Sequence, residues 1–156
     1  PGRRRHEVLH GVRQTHSEER EILSGMREAA VESADMSGCE WVIEAHGCAA
    51  ASLADLDRLR ALFAALVEGM RLRPVQEPLW HQFPGTGGIT GLTLLSESHI
   101  ACHTFPEYGS LCLNVFCCVP REHWDFARYI TDRFEASRVS VRRLDRPYGA
   151  LPAKSA

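Results

Sequence analysis

The sequence predicts an α+β domain in two layers, a mainly antiparallel sheet with two helices on one face. Three observations carry that expectation. Two segments, around 56–70 and 120–134, repeat apolar residues at helical spacing. Several short segments between and around them alternate, as half-buried strands do. The order that results is β-α-β-β-β-β-α-β, and two helices on one face of such a sheet is its natural packing.

Taken in turn, WVIEAHGC from Trp41 alternates well enough for a first strand. Ser52 followed by Asp55 resembles a helix N-terminal cap pair, and Leu56, Leu59, Phe63, Leu66 and Met70 form the apolar stripe after it, with Gly69 near the expected end. Residues 72–82 predict an edge or irregular strand, because Pro74 and Pro78 interrupt it. PGTGG at 84–88 predicts a loop, and strands follow at about 89–96, 99–104 and 110–118. Pro120 is expected to open the second helix, with Trp124, Ala127, Ile130 and Phe134 on its apolar side. Arg138–Leu144 alternates as a last strand. Residues 1–38 differ: they are polar, carry Arg3-Arg4-Arg5 and three histidines, and offer only a thin apolar stripe in a helix from Ser17 to about Val31. They read as a mobile or loosely docked extension of a single domain over 39–156.

Composition excludes several classes. The 156 residues are 44% apolar, enough for a core, and the net charge of −2 argues against a basic nucleic-acid surface. No run approaches the roughly 18 apolar residues of a membrane span, and PGRRRHEVLHG lacks the apolar stretch of a secretory signal. The six cysteines are poorly spaced for disulfides, and reduced thiols in the cytoplasm are the expectation. The 18 basic residues are 17 Arg and one Lys, Lys154, near the C-terminus. A pyridoxal phosphate enzyme needs a lysine within a formed site. Any carbonyl chemistry here therefore calls for another source than that cofactor.

Residues 96–118 crowd together Ser96, Glu97, Ser98, His99, Cys102, His103, Glu107, Cys112, Asn114, Cys117 and Cys118. Each alone has a structural explanation: a strand cysteine is usually a small hydrophobe. Together they allow three chemistries. His99, Cys102, His103 and a later Cys could ligate a metal, although no CxxC or HExxH accompanies them, and no metal is predicted. Cys118 or Ser98 could be a hydrolytic nucleophile with His103 as base, although no GxSxG elbow is present.

The third follows from resemblance. GITGLTLLSESHIACHTFPEYG resembles the signature of the small prokaryotic S-adenosylmethionine decarboxylases, and the similarity runs from about Trp41 to Tyr148. It is sharpest at Ser-Glu-Ser-His, at His-Thr-aromatic-Pro-Glu and at Cys118. The resemblance implies self-cleavage between Glu97 and Ser98, with Ser98 becoming a pyruvoyl group that forms a Schiff base with the substrate. His103 matches the histidine serving the elimination in processing, and Thr90 falls where the family usually has a processing serine. Cys118 matches the proton donor of decarboxylation. Glu107 matches a ribose-binding carboxylate, Phe105 stands in place of an adenine-stacking tryptophan, and Phe83 resembles the second aromatic. Asn114 stands where the family commonly has Asp and belongs to the substrate-binding set.

The implied activity is decarboxylation of S-adenosylmethionine, supplying aminopropyl groups for spermidine synthesis. A paralogue acting on arginine or ornithine, or an unprocessed non-catalytic homologue, are the alternatives. A homodimer of cleaved units, with a small-molecule substrate as the other partner, is also implied. Strand parity adds a constraint. In an unbroken strand Ser98 and His103 point to opposite faces, so they cooperate only across a bend, a bulge or a turn at Ser98. Asn114 and Cys118 share parity.

Overall fold

A computed structural model describes residues 37–148. The expected helix at 17–31, nearly all of the proposed extension and Lys154 lie outside the described residues. Ser37 and Gly38, assigned to the extension from sequence, open the first strand instead.

The elements are β1 (Ser37–His46), α1 (Ala50–Leu53), α2 (Leu56–Gly69), β2 (Leu79–Gln82), β3 (Ile89–Leu95), β4 (Ser98–Phe105), β5 (Ser110–Cys117), α3 (Phe126–Phe134) and β6 (Arg138–Pro147), with a 3-10 turn at Pro106–Tyr108. The six strands form one sheet in the order β2-β3-β4-β5-β1-β6, and every neighbouring pair is antiparallel. The predicted order of elements holds, apart from the short α1.

Period-two alternation decides the faces. Trp41, Ile43, Ile100, Leu111, Leu113 and Val115 are fully buried on one side of the sheet. Against them pack Leu59, Leu62, Phe63 and Leu66 of α2 and Phe126, Ile130 and Phe134 of α3. Burying each of these large side chains contributes about 1.5–3 kcal/mol. The other side of the sheet carries no helix among the described residues.

Three local expectations are corrected. The cap of α2 is Asp55, whose carboxylate accepts the N–H groups of Asp57 and Arg58, while Ser52 lies inside α1 and donates to Glu135 Oε1 at 3.1 Å. Pro120 does not open α3: residues 118–125 run as turn and coil, and Asp125 caps the helix from Phe126. Trp124 therefore packs from the loop, at 5.2 Å from the Phe126 ring, and Ala127 is exposed. Of residues 72–82 only 79–82 form a strand, with one bridge from Pro74 to Leu95. That edge is anchored by Trp80, whose ring centroid lies 4.7 Å from Phe63. A Cβ at Gly91 would meet the Trp80 ring at 2.2 Å, so glycine alone makes room for it.

Candidate active site

The β3–β4 hairpin turns at Ser96–Glu97, and β4 begins at Ser98. Ser98 has φ 157°, one of three positive values at non-glycine residues among those described. Its hydroxyl donates to the carbonyl of Phe116. The Glu97 carbonyl, the one a Ser98 hydroxyl would attack, accepts two hydrogen bonds from a single residue. Cys118 N–H donates at 2.9 Å and Cys118 Sγ at 2.7 Å. Two donors converging on a carbonyl oxygen form an oxyanion hole, the arrangement that stabilises a tetrahedral adduct. The sequence explains the placement: Ser98 lies opposite Cys117 in the β4–β5 register, so the next residue of the chain falls beside the turn.

The Glu97 side chain is only 7% exposed and is held by two arginines. Arg73 donates to Oε1 through Nε at 2.8 Å and through a terminal nitrogen at 2.5 Å, and Arg121 donates to the same oxygen at 3.2 Å. The Arg73 hydrogen bonds, aided by the charges of both arginines and opposed by burial, hold this carboxyl below the usual glutamate range. The main chain reinforces the grip, since Ser96 N–H and Val75 N–H donate to Arg73 O and Leu94 O at 2.8 and 3.0 Å. Neither arginine stood out in the sequence. The available signal was the glutamate of the hairpin turn itself, since a carboxylate that becomes buried is usually paired.

Thr90 and His103 form a second cluster. They face each other across β3 and β4, with Thr90 Oγ1 2.9 Å from His103 Nδ1. β4 is unbroken from Ser98 to Phe105. Ser98 pairs with buried Cys117 and His103 with exposed Cys112, so the two look to opposite faces. Five residues at about 3.3 Å each set them roughly 16 Å apart along the strand. The bend or bulge that would join them in one chain is absent.

The remaining predicted residues divide the same way. Phe83 follows β2 and Phe105 ends β4; both rings are partly exposed, at 47% and 39%. Glu107 lies exposed in the adjoining 3-10 turn. This end is tied down by Thr104, whose hydroxyl accepts Ile89 N–H and donates to Leu53 O, both at 2.8 Å. Asn114 stands mid-sheet on the open face. Its amide nitrogen donates to Glu40 Oε1 at 2.7 Å and its oxygen lies 3.1 Å from His99 Nε2. Arg146 continues the chain, bonding Glu40 and lying 5.2 Å above the Phe116 ring.

Cys102 and Cys117 are fully buried on the helix side, and burial pushes their thiols up to about 12 and about 11. His99 and His103 share the open face while Cys102 points to the core, so those three cannot converge on one ion. A cleft of about 470 Å3 between α2 and the β2 edge, lined by Phe63, Trp80 and Glu77, contains none of the predicted site residues. Chemistry, not volume, locates the site.

The sequence model of S-adenosylmethionine decarboxylase matches residues 39–147. The chain is 36% identical over 106 residues to the S-adenosylmethionine decarboxylase proenzyme of Moorella thermoacetica, covering 66% of this chain and 82% of that protein. It is 34% identical over 116 residues to the proenzyme of Acetivibrio thermocellus, covering 72% and 90%. The crystal structure of the adenosylmethionine decarboxylase from Aquifex aeolicus shares the fold, with a TM-score of 0.59 at 23% identity, over 78% of this chain and 98% of that one. With the family's match spanning well over half its length, and with the fold to go with it, this chain belongs to the S-adenosylmethionine decarboxylase family.

Proposed function

We propose that this chain cleaves itself between Glu97 and Ser98 and then decarboxylates S-adenosylmethionine, forming the aminopropyl donor of spermidine synthesis. The observation that carries the reading is the Glu97 carbonyl, held by two donors from Cys118 and adjoining the Ser98 hydroxyl. Attack of Ser98 Oγ on that carbonyl carbon puts negative charge on the oxygen the Cys118 donors already hold. The amide thereby becomes an ester, and elimination across Ser98 Cα–Cβ expels the Glu97 carboxylate. Tautomerisation to the imine and hydrolysis, which releases the Ser98 nitrogen as ammonia, leave a pyruvoyl group at residue 98.

The residues present fit that group: Ser98 begins a strand, so a new chain end there costs little pairing, and no lysine is needed. A pyruvoyl group at residue 98 would supply an electrophile for the substrate amine and an electron sink for the loss of CO2. Cys118 Sγ, already beside residue 98, is the proton donor to the substrate carbon. Phe83 and Phe105 offer faces for an adenine ring and a sulfonium, Glu107 offers acceptors for ribose hydroxyls, and Asn114 lines the same sheet face.

The separation of Ser98 from Thr90–His103 supports a homodimer in which each site is shared. One copy supplies Ser98 and Cys118. The other supplies the Thr90–His103 pair, whose imidazole serves the elimination, together with the aromatic end. The open face suits such a contact, since Leu92 and Leu94 stand 44% and 50% exposed on it. The setting we infer is the cytoplasm, consistent with six free thiols and with no described helix long and apolar enough to cross a membrane.

Intact mass under denaturing conditions tests self-cleavage. Conversion of the 17.4 kDa chain to fragments ending at Glu97 and beginning at a pyruvoyl residue is expected, and Ser98→Ala should stay intact. Release of CO2 from carboxyl-labelled S-adenosylmethionine is the second expectation. Release only from arginine or ornithine would replace the substrate assigned here.

A further inference from the structure

The Glu97 side chain carries one negative charge, and the two groups holding it carry two positive ones. Arg73 commits two nitrogens to Oε1 and is itself largely exposed. Arg121 is different. Its side chain is 22% exposed, it gives Oε1 one terminal nitrogen at 3.2 Å, and its Nε is buried with no hydrogen-bond partner among the described residues. Glu97 Oε2 is unpartnered in the same way. A buried guanidinium N–H left without an acceptor is costly. The precursor therefore holds around Glu97 one guanidinium more than it has carboxylates, with a buried N–H that has no acceptor among the described residues.

Self-cleavage, on which this inference rests, supplies the balance. The acyl shift from N to O moves no net charge. In the elimination a base removes the Ser98 α-proton, Cα=Cβ forms, and the Cβ–Oγ bond breaks. The electron pair stays on Oγ, which departs as part of the new Glu97 α-carboxylate. A second negative charge is thus created on the very residue the arginines hold, making two anions for two cations. We propose that Arg121 is a positioning residue for this elimination, its spare N–H and uncompensated charge receiving the carboxylate that leaves residue 98. Arg121 follows Cys118 by three residues, so one short segment would serve both steps: Cys118 the carbonyl in the shift, Arg121 the carboxylate in the elimination. Sequence alone does not suggest this, because Arg121 reads there as one more polar residue at the start of a helix.

The test separates the two steps. Freshly translated chain is followed by denaturing mass spectrometry with and without hydroxylamine, which cuts the ester and leaves a hydroxamate on Glu97. In Arg121→Gln the hydroxylamine-sensitive ester should form at the wild-type rate and accumulate, with the pyruvoyl fragment appearing at least about tenfold more slowly, the scale of one lost charged hydrogen bond. Arg121→Lys, which keeps the charge, should restore most of the elimination. Equal partition in wild type and Arg121→Gln would overturn the proposal, as would a slowing of the shift equal to that of the elimination, the mark of a purely structural clamp. Should Arg121→Gln not fold, Glu97→Gln reads the same charge from the other side. It frees one cation, so its ester should turn over at least as fast as wild type, and accumulation there would refute the inference. A wild-type chain that never cleaves would sink the self-cleavage reading instead.

Discussion

Cys118→Ala tests the oxyanion hole directly. The substitution deletes the Sγ donor at 2.7 Å from the Glu97 carbonyl but keeps the Cys118 N–H donor at 2.9 Å. Loss of one donor from such a hole costs about 100- to 1,000-fold in rate when the donor is a good one. A thiol donates weakly, so the expected slowing of self-cleavage is about ten- to a hundredfold, or about 1.4–2.7 kcal/mol of barrier. The assay is disappearance of the 17.4 kDa precursor after cell-free synthesis, sampled over hours under denaturing conditions. Cys118→Ser retains a donor in the same place and should process within severalfold of wild type. Its decarboxylation should fall much further, because a hydroxyl is a far poorer proton donor than a thiol. Wild-type processing by Cys118→Ala would refute the hole. Equal processing and equal decarboxylation by Cys118→Ser would refute the proton-donor role.

Three other outcomes are expected. Ser98→Ala and His103→Ala chains, each inactive alone, should regain cleavage of the His103→Ala chain when produced together, because a mixed dimer contains one complete shared site; no cleavage in dimers verified to be mixed would place the whole site in one chain. Phe126→Ala, at a fully buried position, should destabilise the domain by about 3–5 kcal/mol in denaturant unfolding, and a loss below 1 kcal/mol would contradict the packing of α3. The lowered pKa of Glu97 makes a contribution to stability that is fully present above its ordinary value of 4.5 and is lost as pH falls through the lower folded value. Unfolding midpoints of uncleaved Ser98→Ala should therefore drop more steeply below pH 4.5 than those of Ser98→Ala/Glu97→Gln, and parallel curves would show that the clamp contributes nothing.

Most elements were legible because their residues answer to local periodicity. Leu59, Phe63 and Leu66 repeat at helical spacing, and ITGLTLL and SLCLNVFC alternate, whichever partners they meet. The misplacements fell where a neighbour decides. Ser52 and Asp55 look alike as caps, and only the start of α2 after Asp55 selects between them. Pro120 suits a first helical turn, but the chain spends eight residues passing Cys118 and Arg121 beside the Ser96–Glu97 turn before Asp125 caps α3.

The sequence by itself determined the family resemblance, the bond proposed for cleavage and the parity that sets Ser98 and His103 on opposite faces. Those properties live in residue identity and in the two-residue repeat of a strand. Tertiary structure alone decided what surrounds the bond. The Cys118 donors arrive because β5 runs antiparallel beside β4, and Arg73 and Arg121 come from segments 24 residues away on either side of Glu97. It also decided that β4 stays straight, which leaves Thr90 and His103 roughly 16 Å from Ser98. Contacts between residues distant in the chain are set by strand register and by the burial of charge. Neither is written in the spacing of any one segment.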